Sequence, residues 1–233
     1  MLISSKQCKL NDDMLNIHIN NVKLENVTHT TYIGTVVDKH LQWYSHVNHL
    51  CKKVSPKLYL LRHLSKFLPK SLLNKIYSSC IQPHLDYTCT VWGNSNKNNI
   101  HQVQRLQNTA ARIIHKNYDY INVRGLDLVK NLGWQTFTER VDYLTASLMF
   151  KSIHGKAPFY LQDNIDMMCD VISYNSRSKY TMDVMVPSYN KEQFKSSFKY
   201  NGAVTWNKLP NEVKESTSIY AFKKSYKKYV AKQ

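Results

Sequence analysis

Two carboxylates side by side can hold the pair of metal ions that clamp the attacking and leaving oxygens of a displacement. This chain has one such adjacent acidic pair, Asp12-Asp13. Its flanks, Lys9-Leu10-Asn11 and Met14-Leu15-Asn16, read as the tip of a hairpin, where Asn and Asp accommodate the turn backbone. The pair is therefore assigned to a turn, and no catalytic residue is assigned. Cys80, His84 and Cys89 come nearest to metal-ligand spacing, yet both cysteines fit the inner faces of apolar segments and no fourth ligand follows at a finger-like distance. Five cysteines without a Cys-x-x-Cys pair read as reduced thiols, so no metal site is assigned. The chain has no Gly-rich phosphate loop, no Gly-x-Ser-x-Gly elbow and no His-Glu-x-x-His helix, which leaves hydrolase and nuclease chemistry without a carrier. No cofactor is expected.

The signal lies in charge instead. Between Asp38 and Asp119 stand twelve Lys and Arg and one acid, Asp86, and seven of the ten histidines fall in the same window. Ordinary surfaces intersperse the two signs, because a long single-sign field repels itself. A face left positive attracts phosphates and releases their counterions. The net charge of +16 points to nucleic acid and leaves an anionic membrane surface open. No stretch approaches the eighteen or so apolar residues of a spanning helix, and Met1 to Leu15 lacks the apolar run of a signal peptide, so the chain reads as soluble and intracellular, without a choice between nucleus and cytoplasm.

The elements that must position these cations follow from periodicity. Residues 1–45 read as short strands: Met14 to Ile19, an Asn20-Asn21 turn, Val22 to Val27, and Tyr32 to Val37. They bury little by themselves and must pack on the following helices or on a partner. Val47, Cys51, Val54, Leu58, Leu61 and Leu68 mark a helical stripe, interrupted by Pro56, which is expected to kink the helix or start a new one near Ser55. Leu72, Leu73, Ile76, Tyr77, Cys80 and Ile81 make a second face that ends at Pro83. A third helix, Asn99 to His115, turns Val103, Leu106, Ala110, Ile113 and Ile114 inward; His101, Arg105, Asn108, Arg112 and Lys116 fall within about 80° of one another on its solvent side. A fourth runs from Phe137 to Ile153, with Gly155 as its stop. Asp163 to Tyr189 is irregular, and the basic, aromatic tail ends in a helix with Ile219, Phe222 and Tyr226 opposite Lys223, Lys224, Lys227 and Lys228. The fold class is α+β, mostly α: strands over residues 1–45, a helical region over 46–162, and a basic-aromatic extension over 163–233.

Tyr32-Ile33-Gly34-Thr35 and then Leu41-Gln42-Trp43-Tyr44-Ser45-His46 resemble the Tyr-Leu-Gly-Val and Leu-x-Trp-x-x-His signature of non-LTR retrotransposon reverse transcriptases, at their passage from palm to thumb. Further blocks follow in that family's order: Ile81-Gln82-Pro83-His84-Leu85-Asp86-Tyr87, Val91-Trp92-Gly93, Leu106-Gln107-Asn108 with Arg112-Ile113-Ile114, Leu132-Gly133-Trp134 with Arg140, Lys151 to Pro158, and Phe198 to Ala203 with Trp206-Asn207-Lys208-Leu209-Pro210. The likeness spans nearly the whole chain and is nearest to jockey-like or CR1-like elements. Ser5-Lys6-Gln7 departs from the family's Asn-x-x-Lys-Thr, with Gln7 in place of threonine.

The resemblance implies the last palm strands, a helical thumb-like bundle and a C-terminal extension. The family's metal-binding carboxylates come from palm strands upstream of the matched region, so the expectation is a truncated product that binds and does not polymerise. The junction residues are Tyr32, Gly34, Trp43 and His46; Trp43 stands either near the primer or as the buried anchor of the first thumb helix. A thumb grips the sugar-phosphate backbones of a duplex, whether RNA, DNA or hybrid, and the residues assigned to that grip are Lys52, His63, Lys66, His101, Arg105, Arg112 and Lys116. The alternative is a module that docks on protein or an acidic membrane through the lysine-rich terminal helix.

Overall fold

The computed structural model describes residues 1–5, 17–171 and 182–231. Lys6, Gln7, Cys8, the Asp12-Asp13 turn, the first half of the expected Met14–Ile19 strand and part of the irregular Asp163–Tyr189 stretch lie outside them. The strands are β1 (His18–Ile19), β2 (Val22–Lys23), β3 (His29–Tyr32) and β4 (Thr35–Asp38). The helices are α1 (Tyr44–Leu64), α2 (Lys70–Ile76), α3 (Gln82–Asp86), α4 (Cys89–Trp92), α5 (Lys97–His115), α6 (Gly125–Asn131) and α7 (Phe137–Ile153), followed by α8 (Phe159–Gln162), α9 (Met168–Val171), α10 (Glu192–Lys195), α11 (Phe198–Asn207), α12 (Asn211–Lys214) and α13 (Ile219–Val230). The fold is α+β and mostly α. It has two compact units: Met1–Tyr87 with Ser95–Phe137, and Thr88–Asn94 with Thr138–Gln233.

In the first unit, two antiparallel hairpins precede the helices. Each turns on two residues of positive φ, Asn20 and Asn21 at 50° and 62°, and Ile33 and Gly34 at 44° and 73°. These are the values a two-residue turn needs to match strand twist. The expected single strand Tyr32–Val37 is therefore folded back at Ile33-Gly34, pairing Tyr32 with Thr35 and His29 with Asp38. A β-branched residue at positive φ costs about 1–2 kcal/mol. The Tyr87 hydroxyl offsets this by donating to the Ile33 carbonyl at 2.7 Å. β4 buries Thr35 and Val36 and packs on α1, as the strand region was expected to, whereas β1 and β2 are exposed throughout.

α1 runs without a break through Pro56, so of the two outcomes expected there, a kink or a new start near Ser55, the new start does not occur. An interior proline costs about 3 kcal/mol, but Val47, Leu50, Val54, Leu58 and Leu61, on both sides of it, are all buried, each contributing about 1.5–3 kcal/mol. Burial wins. The next segment handles its proline differently. After α2 the chain widens into a π-turn, Tyr77–Ile81, in which the Gln82 N–H donates back to the Tyr77 carbonyl. The extra residue makes room for Pro83 at the start of α3, where its ring would otherwise meet the carbonyl one turn back. It also shifts the helical phase, so Cys80, expected to point inward, is exposed, while Tyr77, Ile81 and Leu85 are buried.

Trp134 docks on this turn. Its ring stacks on Tyr77 at 3.7 Å between centroids and its Nε1 donates to Asn74 Oδ1 at 2.8 Å. Gly133, at φ 69°, caps α6 in the left-handed conformation that aims Trp134 there, with the Trp134 N–H returning to the Val129 carbonyl. The Leu132-Gly133-Trp134 block is thus a helix stop that delivers an indole.

The second unit is built on α7, α11 and α13. Phe150, Trp206 and Phe222 are fully buried and form one aromatic cluster, with Tyr143, Met149, Ala203, Val213 and Tyr226 around it. The Trp206-Asn207 pair holds residues 182–184 against this core: Trp206 Nε1 donates to the Met182 carbonyl at 2.7 Å, while the Asn207 amide accepts from the Val184 N–H at 2.9 Å and donates to its carbonyl at 2.8 Å. Lys214, 2% exposed, reaches Asp183 Oδ1 at 2.5 Å. α4 packs tightly on α7, since a side chain on Gly93 would come within 2.7 Å of Val141.

Candidate nucleic-acid interface

α1 and α5 pack side by side and run in the same direction. Their starts are joined by Asn99 Nδ2, which donates to the Gln42 carbonyl at 2.8 Å. Their far ends share a cleft lined by Arg62, Ser65 and Lys66 after α1 and by Lys116, Tyr118 and Tyr120 after α5. Neither helix contains an acidic residue. Lys52, Arg62, His63 and Lys66 are exposed on the α1 side, and His101, Arg105 and Lys116 on the α5 side. Burial pushes the Cys51 thiol up, and the positive charge of Arg105 pulls it back. Lys66 and Lys116 meet at the cleft; His101 is not brought to it.

Arg112 corrects the sequence expectation. It belongs to the solvent stripe by helical angle, yet it is only 6% exposed. Lys116 adopts a left-handed cap, φ 54°, and turns the chain so that residues 117–124 fold back over the preceding turn. The guanidinium then donates to the Asp119 carbonyl at 2.8 Å and the Val123 carbonyl at 2.6 Å, and lies 4.3 Å from the centre of the Tyr120 ring. Arg112 organises the loop from within. Asn108, also placed on the stripe, accepts from Gln104 Nε2 and stands so close to Gly125 that a side chain there would clash at 2.8 Å.

Arg62, Tyr118 and Tyr120 are the cleft residues that sequence reasoning missed. Arg62 lies 5.7 Å from the Tyr118 ring centre. The available signal was the Tyr118-Asp119-Tyr120 run that begins two residues after Lys116, aromatics next to a basic stretch. Asp119, which closes the acid-poor run, is turned into its own loop: the N–H groups of Ile121 and Asn122 and the Asn122 amide all donate to it, and these bonds, with Arg112, hold its carboxyl below the usual range. A further cationic group lies along α1, where burial, Lys57 and Lys53 hold His84 below its ordinary value.

At the expected junction, Asp38 accepts from the N–H groups of His40, Gln42 and Trp43, fixing the loop that feeds α1. Trp43 is 7% exposed, the anchor alternative. His46 accepts from the Val36 N–H through Nδ1 at 3.3 Å, and burial, then His49 and Lys53, hold it at about 4. Gly34 and Tyr32 sit at the β3–β4 tip, Tyr32 being exposed. Among the described residues no three His, Cys, Asp or Glu side chains gather as a metal site, and no helix is long and apolar enough to cross a membrane. The apolar side of α13, Phe222 and Tyr226, is buried in the core of its own unit, which removes the inserting half of a membrane-surface helix; Lys223, Lys224, Lys227 and Lys228 are exposed.

Two relatives from Drosophila melanogaster match this chain. It is 32% identical over 104 residues to the probable RNA-directed DNA polymerase from transposon X-element, covering 42% of the chain and 11% of that protein. It is 28% identical over 133 residues to the probable RNA-directed DNA polymerase from transposon BS, covering 56% of the chain and 14% of that protein. The chain thus spans a small part of the length of these relatives. No family model and no solved structure matches it. By these matches the chain is similar to RNA-directed DNA polymerases of transposons, which supports an origin in a non-LTR retrotransposon.

Proposed function

We propose that this chain is a thumb-side part of such a reverse transcriptase and grips a nucleic-acid duplex through its phosphates, without polymerising on its own. The observation that carries the reading is the pairing of two acid-free helices, α1 and α5, which expose Lys52, Arg62 and Arg105 along their lengths and Lys66 and Lys116 just past their ends. Side chains of this kind read backbone charge and carry no base sequence. Polymerisation needs carboxylates converging on two ions. Asp86, the one acid between Asp38 and Asp119, instead accepts from Gln82 Nε2 at 2.7 Å.

The test is a salt titration. Fluorescence anisotropy of a labelled duplex between 50 and 300 mM salt should give a log-log affinity slope of about −4 to −5 if all five side chains meet phosphates. Lys52→Gln with Arg105→Gln should flatten it by nearly two, equally for unrelated sequences. A slope shallower than about −2, or one unchanged in the double variant, removes this face from the reading.

A further inference from the structure

The cleft at the shared ends of α1 and α5 holds more than a phosphate grip requires. Its volume is about 590 Å³, within the range of small-ligand sites, and its wall combines three cations, Arg62, Lys66 and Lys116, with two tyrosine rings. A duplex backbone uses the cations but leaves the rings idle, because its bases are already stacked on one another. We propose that this cleft takes one unpaired nucleotide of a single strand, its phosphate among Arg62, Lys66 and Lys116 and its base on the open face of Tyr120. The proposal rests on the nucleic-acid reading above and names the ligand class of one end of that face.

Three observations support it. The Tyr120 ring is held on one side only: the Arg112 guanidinium, itself fixed by two backbone carbonyls, lies 4.3 Å from the ring centre, yet the residue is 65% exposed. A ring fixed in advance loses little freedom when a base stacks on it. Tyr118 is 46% exposed beside Arg62 and offers a second face for the neighbouring base. The loop that presents both rings is built from within, by the Lys116 cap, the Asn117 side chain accepting from the Asp119 N–H at 2.9 Å, and the bonds Asp119 accepts from Ile121 and Asn122. Asp119 stands between the two tyrosines in sequence, and those bonds engage its carboxylate in the loop. An acidic peptide would satisfy the cations and leave both ring faces bare.

The experiment compares four probes on the full chain by fluorescence anisotropy: a ten-nucleotide oligouridylate, an abasic strand of the same length and charge, a blunt RNA–DNA duplex, and polyglutamate as competitor. The oligouridylate should bind about tenfold more tightly than the abasic strand. Tyr120→Leu and Tyr118→Leu should each lose several-fold to tenfold for the oligouridylate while duplex affinity stays within about twofold, and Tyr120→Phe should keep the wild-type value. Equal binding of abasic and uridylate strands overturns the proposal without requiring any variant to fold. So does competition by polyglutamate as strong as that of an equally charged strand. Unchanged uridylate binding in both leucine variants overturns it too. If the duplex binds with its expected salt slope in any of these cases, the grip reading survives; failure of the wild-type chain to bind either nucleic acid sinks both.

Discussion

Replacing Arg112 and Arg105 separately divides structural charge from binding charge. Arg112→Met keeps the length of the buried stem and removes the two N–H donations, to the Asp119 carbonyl at 2.8 Å and the Val123 carbonyl at 2.6 Å, with the contact on Tyr120. Each donation from a charged group contributes about 1.5–3 kcal/mol, but Asp119 is exposed and Val123 half-buried, so water recovers part of the loss. The net destabilisation should be about 2 kcal/mol, a fall in melting temperature of roughly 4–8 °C for a chain of this size. Arg105→Gln, on an exposed position, should shift stability by less than about 0.5 kcal/mol. The duplex salt slope should respond in the opposite order, losing about 0.9 with Arg105→Gln and holding near wild type with Arg112→Met in conditions where both are folded. Arg112→Lys sharpens the contrast, since it keeps the charge but cannot span both carbonyls, and should be destabilised with an unaltered slope. Thermal melts followed by near-ultraviolet dichroism and the same anisotropy titration read both quantities. If Arg112→Met melts with wild type and flattens the slope by one, the guanidinium faces the ligand in solution and the account of the loop is wrong.

Two other expectations concern stability. His46 is held at about 4, so the folded chain keeps it neutral while the unfolded chain takes up a proton near pH 6.5; its contribution is fully present above about pH 6.5 and is lost as pH falls toward 4. At about 1.4 kcal/mol per unit of displacement, the loss by pH 4.5 is of order 2.5 kcal/mol. His46→Asn retains an acceptor for the Val36 N–H and should remove this slope; urea midpoints that change in parallel for the two proteins between pH 7.5 and 4.5 would contradict it. In the second unit, Asn207→Leu leaves both backbone groups of the buried Val184 without their partner and should cost about 2–4 kcal/mol, read from urea unfolding, where a cost under 0.5 kcal/mol would refute the clamp.

Much of the helical architecture was legible because burial stripes leave long periodic traces: α5, α7 and α13 fall close to the residues their periodicity indicated. The two prolines were harder. One residue type is tolerated inside α1, where apolar positions on both sides hold the helix together, and displaced into a π-turn ahead of α3; the difference lies in packing that no local window contains. Ile33-Gly34 hid as strand because β-branched residues normally favour extension, and a bond that offsets its left-handed turn comes from Tyr87, distant in sequence. Arg112 was misplaced for a related reason. Helical angle assigns a side, but the loop that covers that side begins after the helix ends. Tyr118 and Tyr120 gave a faint trace, and their placement depends on the same covering loop.

Each compact unit is assembled from two stretches of chain, since Thr88–Asn94 belong with residues beyond Phe137 although they interrupt the other unit's sequence. No single cleavage can therefore release both intact. A chain ended at Phe137 would keep every residue of the first unit, yet it would also carry α4, whose Trp92 and Cys89 are each only 1% exposed and whose packing partner, α7, would be gone. Subcloning the α1–α5 face by itself would uncover a greasy indole, and the interleaved order ties the two units to one chain.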